Sequence, residues 1–104
     1  MSEQINNYQK TILVAEDNLE ILDEIVGKLG SEYQVIRKTG GDDARQRILY
    51  SEEARKHNSG LDFIILDAFM PGFHGAALSD EIRGHFPEVP IVMYTSDDPR
   101  AYSY

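Results

Sequence analysis

Four short apolar runs, each followed by a segment with helical spacing, constrain this chain more than any other feature. The runs are residues 11–15 (TILVA), 33–36, 61–66 and 91–94, and they are rich in β-branched residues. A strand that is apolar on both sides is buried on both sides, which is the habit of a parallel sheet. Between the runs the apolar spacing changes to three and four. Leu19, Leu22, Ile25, Val26 and Leu29 mark one helical face, which Asn18 is placed to cap and Gly30 ends. After a turn at Gly40-Gly41, residues 42–56 predict a second helix with Ala44, Ile48, Leu49 and Ala54 inward, and Asn58-Ser59-Gly60 breaks it. A third helix begins after Gly75, with Ala77, Leu78, Ile82 and Phe86 inward. Pro87 ends it, and Pro90 opens the last strand. Repeated strand-helix units predict a doubly wound α/β sheet with helices on both faces and right-handed crossovers. In open sheets of this class, ligands sit beyond the carboxyl ends of the strands.

Acids stand at those ends. Glu16 and Asp17 follow the first strand, Asp67 follows the third and Thr95 follows the fourth. If strands one and three are neighbours, their backbones lie roughly 5 Å apart. Three carboxylates then crowd one pocket, and like charges that close raise one another's pKa unless something neutralises them. A hard divalent cation does so, and Mg²⁺ suits a site with few carboxylates and several waters. Asp67 therefore reads as both a metal ligand and a reactive group. Composition narrows the alternatives. A length of 104 residues suits one domain, and a net charge of −8 argues against nucleic-acid binding, which needs clustered Lys and Arg. With no Cys there is no disulfide, thiolate ligand or Cys nucleophile. No stretch is long enough to cross a membrane and the start lacks a signal-peptide core, so a cytoplasmic protein is expected. Residues 1–9 are expected to be a disordered polar tail and residues 10–104 the domain.

The acidic pair Glu16-Asp17, the segment from Asp67 to Gly75 (DAFMPGFHG) and Thr95-Ser96, in that order at three strand ends, resemble the receiver domain of two-component response regulators. The resemblance covers residues 10 to about 100. It implies a flavodoxin-like doubly wound sheet of order 2-1-3-4. It also implies a signalling switch, in which Asp67 accepts a phosphoryl group from a sensor histidine kinase or a phosphotransfer protein. On this resemblance Asp17 and Asp67 would bind Mg²⁺ directly, with Glu16 acting mainly through water. The backbone carbonyl of Phe69 would complete the protein ligands, and Thr95 would hydrogen-bond the phosphoryl group. The Pro71-Gly72 corner would leave the loop open above Asp67.

Two departures qualify the resemblance, the absence of the family's aromatic switch residue on a fifth strand and the absence of its lysine there. The family carries a lysine at the end of a fifth strand, whereas the lysines here are Lys10, Lys28, Lys38 and Lys56. The expectation is therefore a receiver cut short before its fifth strand and helix, with slow or short-lived phosphorylation. An alternative follows, a degenerate receiver that binds partners without phosphorylation. Catalysis beyond self-phosphorylation and dephosphorylation is not expected. A dehalogenase-like phosphatase would need an acid two residues after the nucleophile, where Phe69 stands, and no Gly-rich nucleotide loop follows strand one. His57, His74 and His85 read as surface residues and Arg100 as a solvated charge. Phe69 either shields the pocket or packs on its loop, and Tyr94, Tyr102 and Tyr104 are core or interface. The fourth strand would be an apolar edge without a gatekeeping charge, so a homodimer or a docked partner is expected along it.

Overall fold

The computed structural model describes residues 9–70 and 73–95. The calls on residues 1–8, on Pro71-Gly72, and on Ser96, Arg100, Tyr102 and Tyr104 lie outside the described residues. Gln9, expected in the tail, is placed: its side-chain amide donates to the Ser31 carbonyl at 2.7 Å.

The main sheet has four parallel strands among the described residues: β1 (Lys10–Ala15), β2 (Tyr33–Lys38), β3 (Phe63–Asp67) and β6 (Ile91–Tyr94). Their order is β2-β1-β3-β6, the order expected from the sequence. A small antiparallel pair, β4 (Phe69–Met70) and β5 (Phe73–His74), follows β3. Residues 11 to 15 of β1 are all buried, as a central strand covered on both faces requires. Helix α1 (Leu19–Leu29) lies over one face. There Ile12, Val14 and Leu22 are buried, with Ile25, Val26, Leu29, Phe63 and Ile65 packed around them. Helices α2 (Gly41–Arg45) and α3 (Gly75–His85) cover the other face, where Leu13, Ile48, Ile64, Leu66, Leu78 and Ile82 form the larger core. Asn18 caps α1 as expected, accepting from the Ile21 amide through Oδ1 at 3.2 Å, and Gly30 ends it at φ 68°.

Three expectations on the helices are corrected. The continuous helix over 42–56 does not form. After α2 the backbone passes through a π-type turn at Gln46–Tyr50 and short 3₁₀ turns at Glu52–Arg55 and His57–Gly60. The cause is a polar network. Ser51 is extended and its hydroxyl donates to the Arg47 carbonyl, diverting the backbone. Arg47 is itself buried, and its guanidinium donates to the Ser59 carbonyl at 2.9 Å and to the Ser59 Oγ at 3.1 Å. The Ser59 hydroxyl donates on to the Ile48 carbonyl at 2.7 Å. A buried guanidinium needs such acceptors, and supplying them outweighs helix continuity. Leu19, expected inward, is 64% exposed and joins neither core. Ala77 is also exposed; the inner face of α3 is Gly75, Leu78, Ser79 and Ile82.

The start of α3 is set by a close approach. The Gly75 amide donates to the Ala68 carbonyl at 2.8 Å. A Cβ on Gly75 would stand 2.8 Å from the Asp67 carbonyl oxygen and 3.0 Å from the Ala68 Cα. These are backbone atoms, which cannot rotate aside. We expect Gly75→Ala to lower stability by about 1–3 kcal/mol, the usual cost of forced overpacking, and to shift the amide signals of Ala68 to Met70. Thermal melting with an amide spectrum checks this; an unchanged melting point would show that the loop after Asp67 has slack.

Candidate functional site

The strand register builds the site. Ala15 pairs with Leu66, and Asp67 pairs with Tyr94. Glu16, Asp67 and Tyr94 therefore stand side by side across the carboxyl ends of β1, β3 and β6. Side chains alternate along a strand, so Glu16 shares the face of Ile12 and Val14, and Asp67 the face of Phe63 and Ile65. That is the face covered by α1.

Glu16, Asp17 and Asp67 offer carboxylate oxygens that all lie within 4.8 Å of one another. Glu16 and Asp67 are buried, at 0% and 2% exposure, and Asp17 is exposed. The Glu16 amide donates to the Lys38 carbonyl at 2.9 Å, which locks the chain as it leaves β1. Glu16 Oε2 accepts from the Asn18 amide at 2.9 Å, and its Oε1 accepts from the Tyr94 hydroxyl. Asp67 Oδ1 accepts from the Phe69 amide at 3.1 Å. The Ala68 amide donates to the Tyr94 carbonyl at 2.6 Å, tying the loop after Asp67 to β6.

Burial pushes the Asp67 carboxyl up from the ordinary 3.8 to about 6. The Phe69 amide opposes this by favouring the ionised form, while Glu16 and Asp17 add to the rise. Burial also raises the Tyr94 phenol, and its bond to Glu16 and the nearby acids add to that. The phenol therefore stays a donor across the physiological range.

The expected site residues are placed as follows. Glu16, Asp17 and Asp67 come together. Phe69 is half-buried beside them and sets its ring edge-to-face against His74, centroids 6.0 Å apart, so it packs on the loop. Thr95 directly follows Tyr94 and is exposed. His57, His74 and His85 are exposed. Sequence reasoning left Tyr94 undecided and gave it no part in the site. The signal that could have found it is register: the last residue of the fourth strand faces the last residue of the third.

The donor set fits a hard cation. All three side chains offer oxygen. Two oxygens on one Mg²⁺ at about 2.0–2.1 Å stand at most about 4.2 Å apart. The three carboxylate oxygens, all within 4.8 Å of one another, are near enough to share one such ion. Glu16, whose two oxygens already accept protein donors, suits the water-mediated place.

A pH dependence follows. A carboxyl whose native pKa is raised stabilises the fold below the unfolded value, near 3.8, and loses that contribution as pH rises through about 6. At pH 7 without divalent cations, the ionised Asp67 weakens the fold. We expect Asp67→Asn to stabilise the cation-free protein at pH 7 by about 1–2 kcal/mol after allowance for screening. That is roughly 4–15 °C in melting temperature, and the gain should shrink towards pH 4. Melting in chelator at both pH values checks it; equal gains would show that charge at Asp67 is not the cause.

Comparison with known proteins agrees with this geometry. The sequence model of the response regulator receiver domain matches residues 12–103. The hydrogenase transcriptional regulatory protein HoxA of Cupriavidus necator is 27% identical over 89 residues, covering 86% of this chain. The chain spans only 17% of that relative's length. The receiver domain of the histidine kinase CKI1 from Arabidopsis thaliana, solved with Mg²⁺ and BeF₃⁻, superposes with a TM-score of 0.73 at 24% identity. That match covers 88% of this chain and 70% of the other. A solved complex of the histidine kinase ThkA with the response regulator protein TrrA matches with a TM-score of 0.69 at 27% identity, covering 92% and 72%. The fold is the flavodoxin-like fold of receivers, and with the family's sequence model matched over residues 12–103, the chain belongs to the response regulator receiver domain family.

Proposed function

We propose that residues 10–104 act as a phosphoaccepting switch in a two-component phosphorelay, with Asp67 as the acceptor. The observation that carries this reading is the convergence of Glu16, Asp17 and Asp67 on one oxygen-rich point at the carboxyl edge of the sheet. An Asp67 carboxylate oxygen attacks the phosphorus of a phosphohistidine; the P–N bond breaks as the new P–O bond forms, and the imidazole nitrogen keeps the bonding pair. The donor is a sensor histidine kinase or a phosphotransfer protein; the histidine kinase complex among the similar structures supports a kinase partner. Asp17, Asp67 and the Phe69 carbonyl would hold Mg²⁺, with Glu16 reaching it through water. Bound there, the ion would offset the negative charge of the acids and of the transferring group. The Mg²⁺ and BeF₃⁻ in the Arabidopsis receiver support this assignment. Thr95, beside the site, would donate its hydroxyl to the phosphoryl group.

Incubation with acetyl phosphate and Mg²⁺, read by intact mass, tests the reading. We expect one phosphoryl adduct on the wild type, and none on Asp67→Asn or without a divalent cation. No adduct, and no amide shifts with BeF₃⁻ and Mg²⁺, would favour the second class, a receiver that binds partners without phosphorylation.

The partner reading has its own support. Among the described residues β6 is the edge of the sheet, and Val92 and Met93 are 45% and 41% exposed. An apolar edge of this kind recruits another strand. We propose that a second copy or a partner docks along it. Sedimentation across a concentration series should show association that Met93→Lys weakens; a monomer throughout, indifferent to that substitution, rules it out.

A further inference from the structure

We propose that Tyr94 is a positioning residue of the acidic site, one whose hydroxyl fixes the Glu16 carboxylate in place. The inference rests on the cation reading above and adds to it a residue outside the carboxylate set.

The observations are geometric. Glu16 has no exposed surface, so each of its oxygens needs a donor from the protein or from a bound group. Oε2 is served by the Asn18 amide, two residues away on the same loop. Oε1 is served by a side chain 78 positions distant, the Tyr94 hydroxyl. The Asn18 bond ties Glu16 to its own loop, and Glu16 also hydrogen-bonds the Asp67 side chain beside it. The Tyr94 bond adds an anchor on β6, on the far side of Asp67. Tyr94 is well held for the task. Its backbone pairs with Asp67, and its carbonyl accepts the Ala68 amide at 2.6 Å. It borders an open groove with Ile21, Glu24, Ile25, Ile65 and Val92. An acid that reaches a cation through water depends on such a support, because it must present a lone pair at a fixed distance.

The test uses the full chain as wild type, Tyr94→Phe, Glu16→Gln and the double variant. Tyr94→Phe keeps the ring and removes only the hydroxyl. In cation-free protein with ¹³C-labelled glutamate, we expect Tyr94→Phe to move the Glu16 side-chain carboxyl signal while the amide spectrum outside the site is kept. In Mg²⁺ titrations we expect about ten-fold weaker binding, the usual size for an outer support. Adding Tyr94→Phe to Glu16→Gln should bring little further loss, because the hydroxyl acts through Glu16. Two fully additive losses, or an unmoved Glu16 carboxyl signal, would overturn the proposal. If the wild type binds no Mg²⁺, the cation reading fails, and the cation-free carboxyl signal still decides the role of Tyr94. Should Tyr94→Phe fold poorly, ¹³Cζ-labelled Tyr94 in otherwise native chain replaces it. A Tyr94 signal that shifts on Glu16→Gln supports the contact, and one that does not shift removes it.

Discussion

The structure turns on two buried carboxyl groups placed side by side at the end of a dry sheet. Glu16 and Asp67 have almost no contact with solvent, and Asp17 stands next to them. Neither burial nor like charge favours ionisation there, and the raised Asp67 carboxyl records that opposition. The fold tolerates the arrangement because donors are built around it: the Asn18 and Phe69 amides and the Tyr94 hydroxyl. What remains is a cluster of three acids, two of them buried, whose mutual repulsion a bound cation would relieve.

The loops around the site follow from the same need. Asp67 ends a buried strand, and the chain leaves the sheet directly after it. It does so through the antiparallel pair β4–β5, with Phe69 against His74 as its outer contact. Phe73, on the same pair, packs against Gly41 at the start of α2. Return is possible only because Gly75 lets the start of α3 approach the Asp67 carbonyl. A polar link joins α2 to α3 nearer the surface. Arg45 grips Glu81 with two bonds of 2.7 and 2.8 Å and lies over the Tyr50 ring.

Much of this was legible in the sequence, for physical reasons. Strands buried on both faces read as continuous apolar runs, so β1, β3 and β6 could be found from residues 11–15, 61–66 and 91–94, while their order came from the family resemblance. Acids at the ends of neighbouring strands must converge, so Glu16, Asp17 and Asp67 could be found without coordinates. Residues 42–56 were misread because local periodicity cannot reveal a buried arginine that draws the chain into turns. Leu19 and Ala77 fit the apolar stripe by spacing but fall outside the surface their helices share with the sheet. Tyr94 was left open because its partner lies 78 residues away, so only the register of the fourth strand against the third, not local periodicity, points to it.

β6 therefore carries two duties that meet in one residue. Outwardly it is the edge of the described sheet, with Val92 and Met93 open to solvent. Inwardly it walls the acidic site, pairing Asp67 with Tyr94 and accepting the Ala68 amide. A strand that only filled an edge could slide or fray at little cost. This one cannot slip by a single residue without flipping Tyr94 to the other face and stripping Glu16 of a donor. The acidic site thus fixes the register of the strand that would meet a partner. Occupancy of the edge, in turn, would hold steady the hydroxyl on which Glu16 depends. Site and edge are one mechanical unit because they share Tyr94.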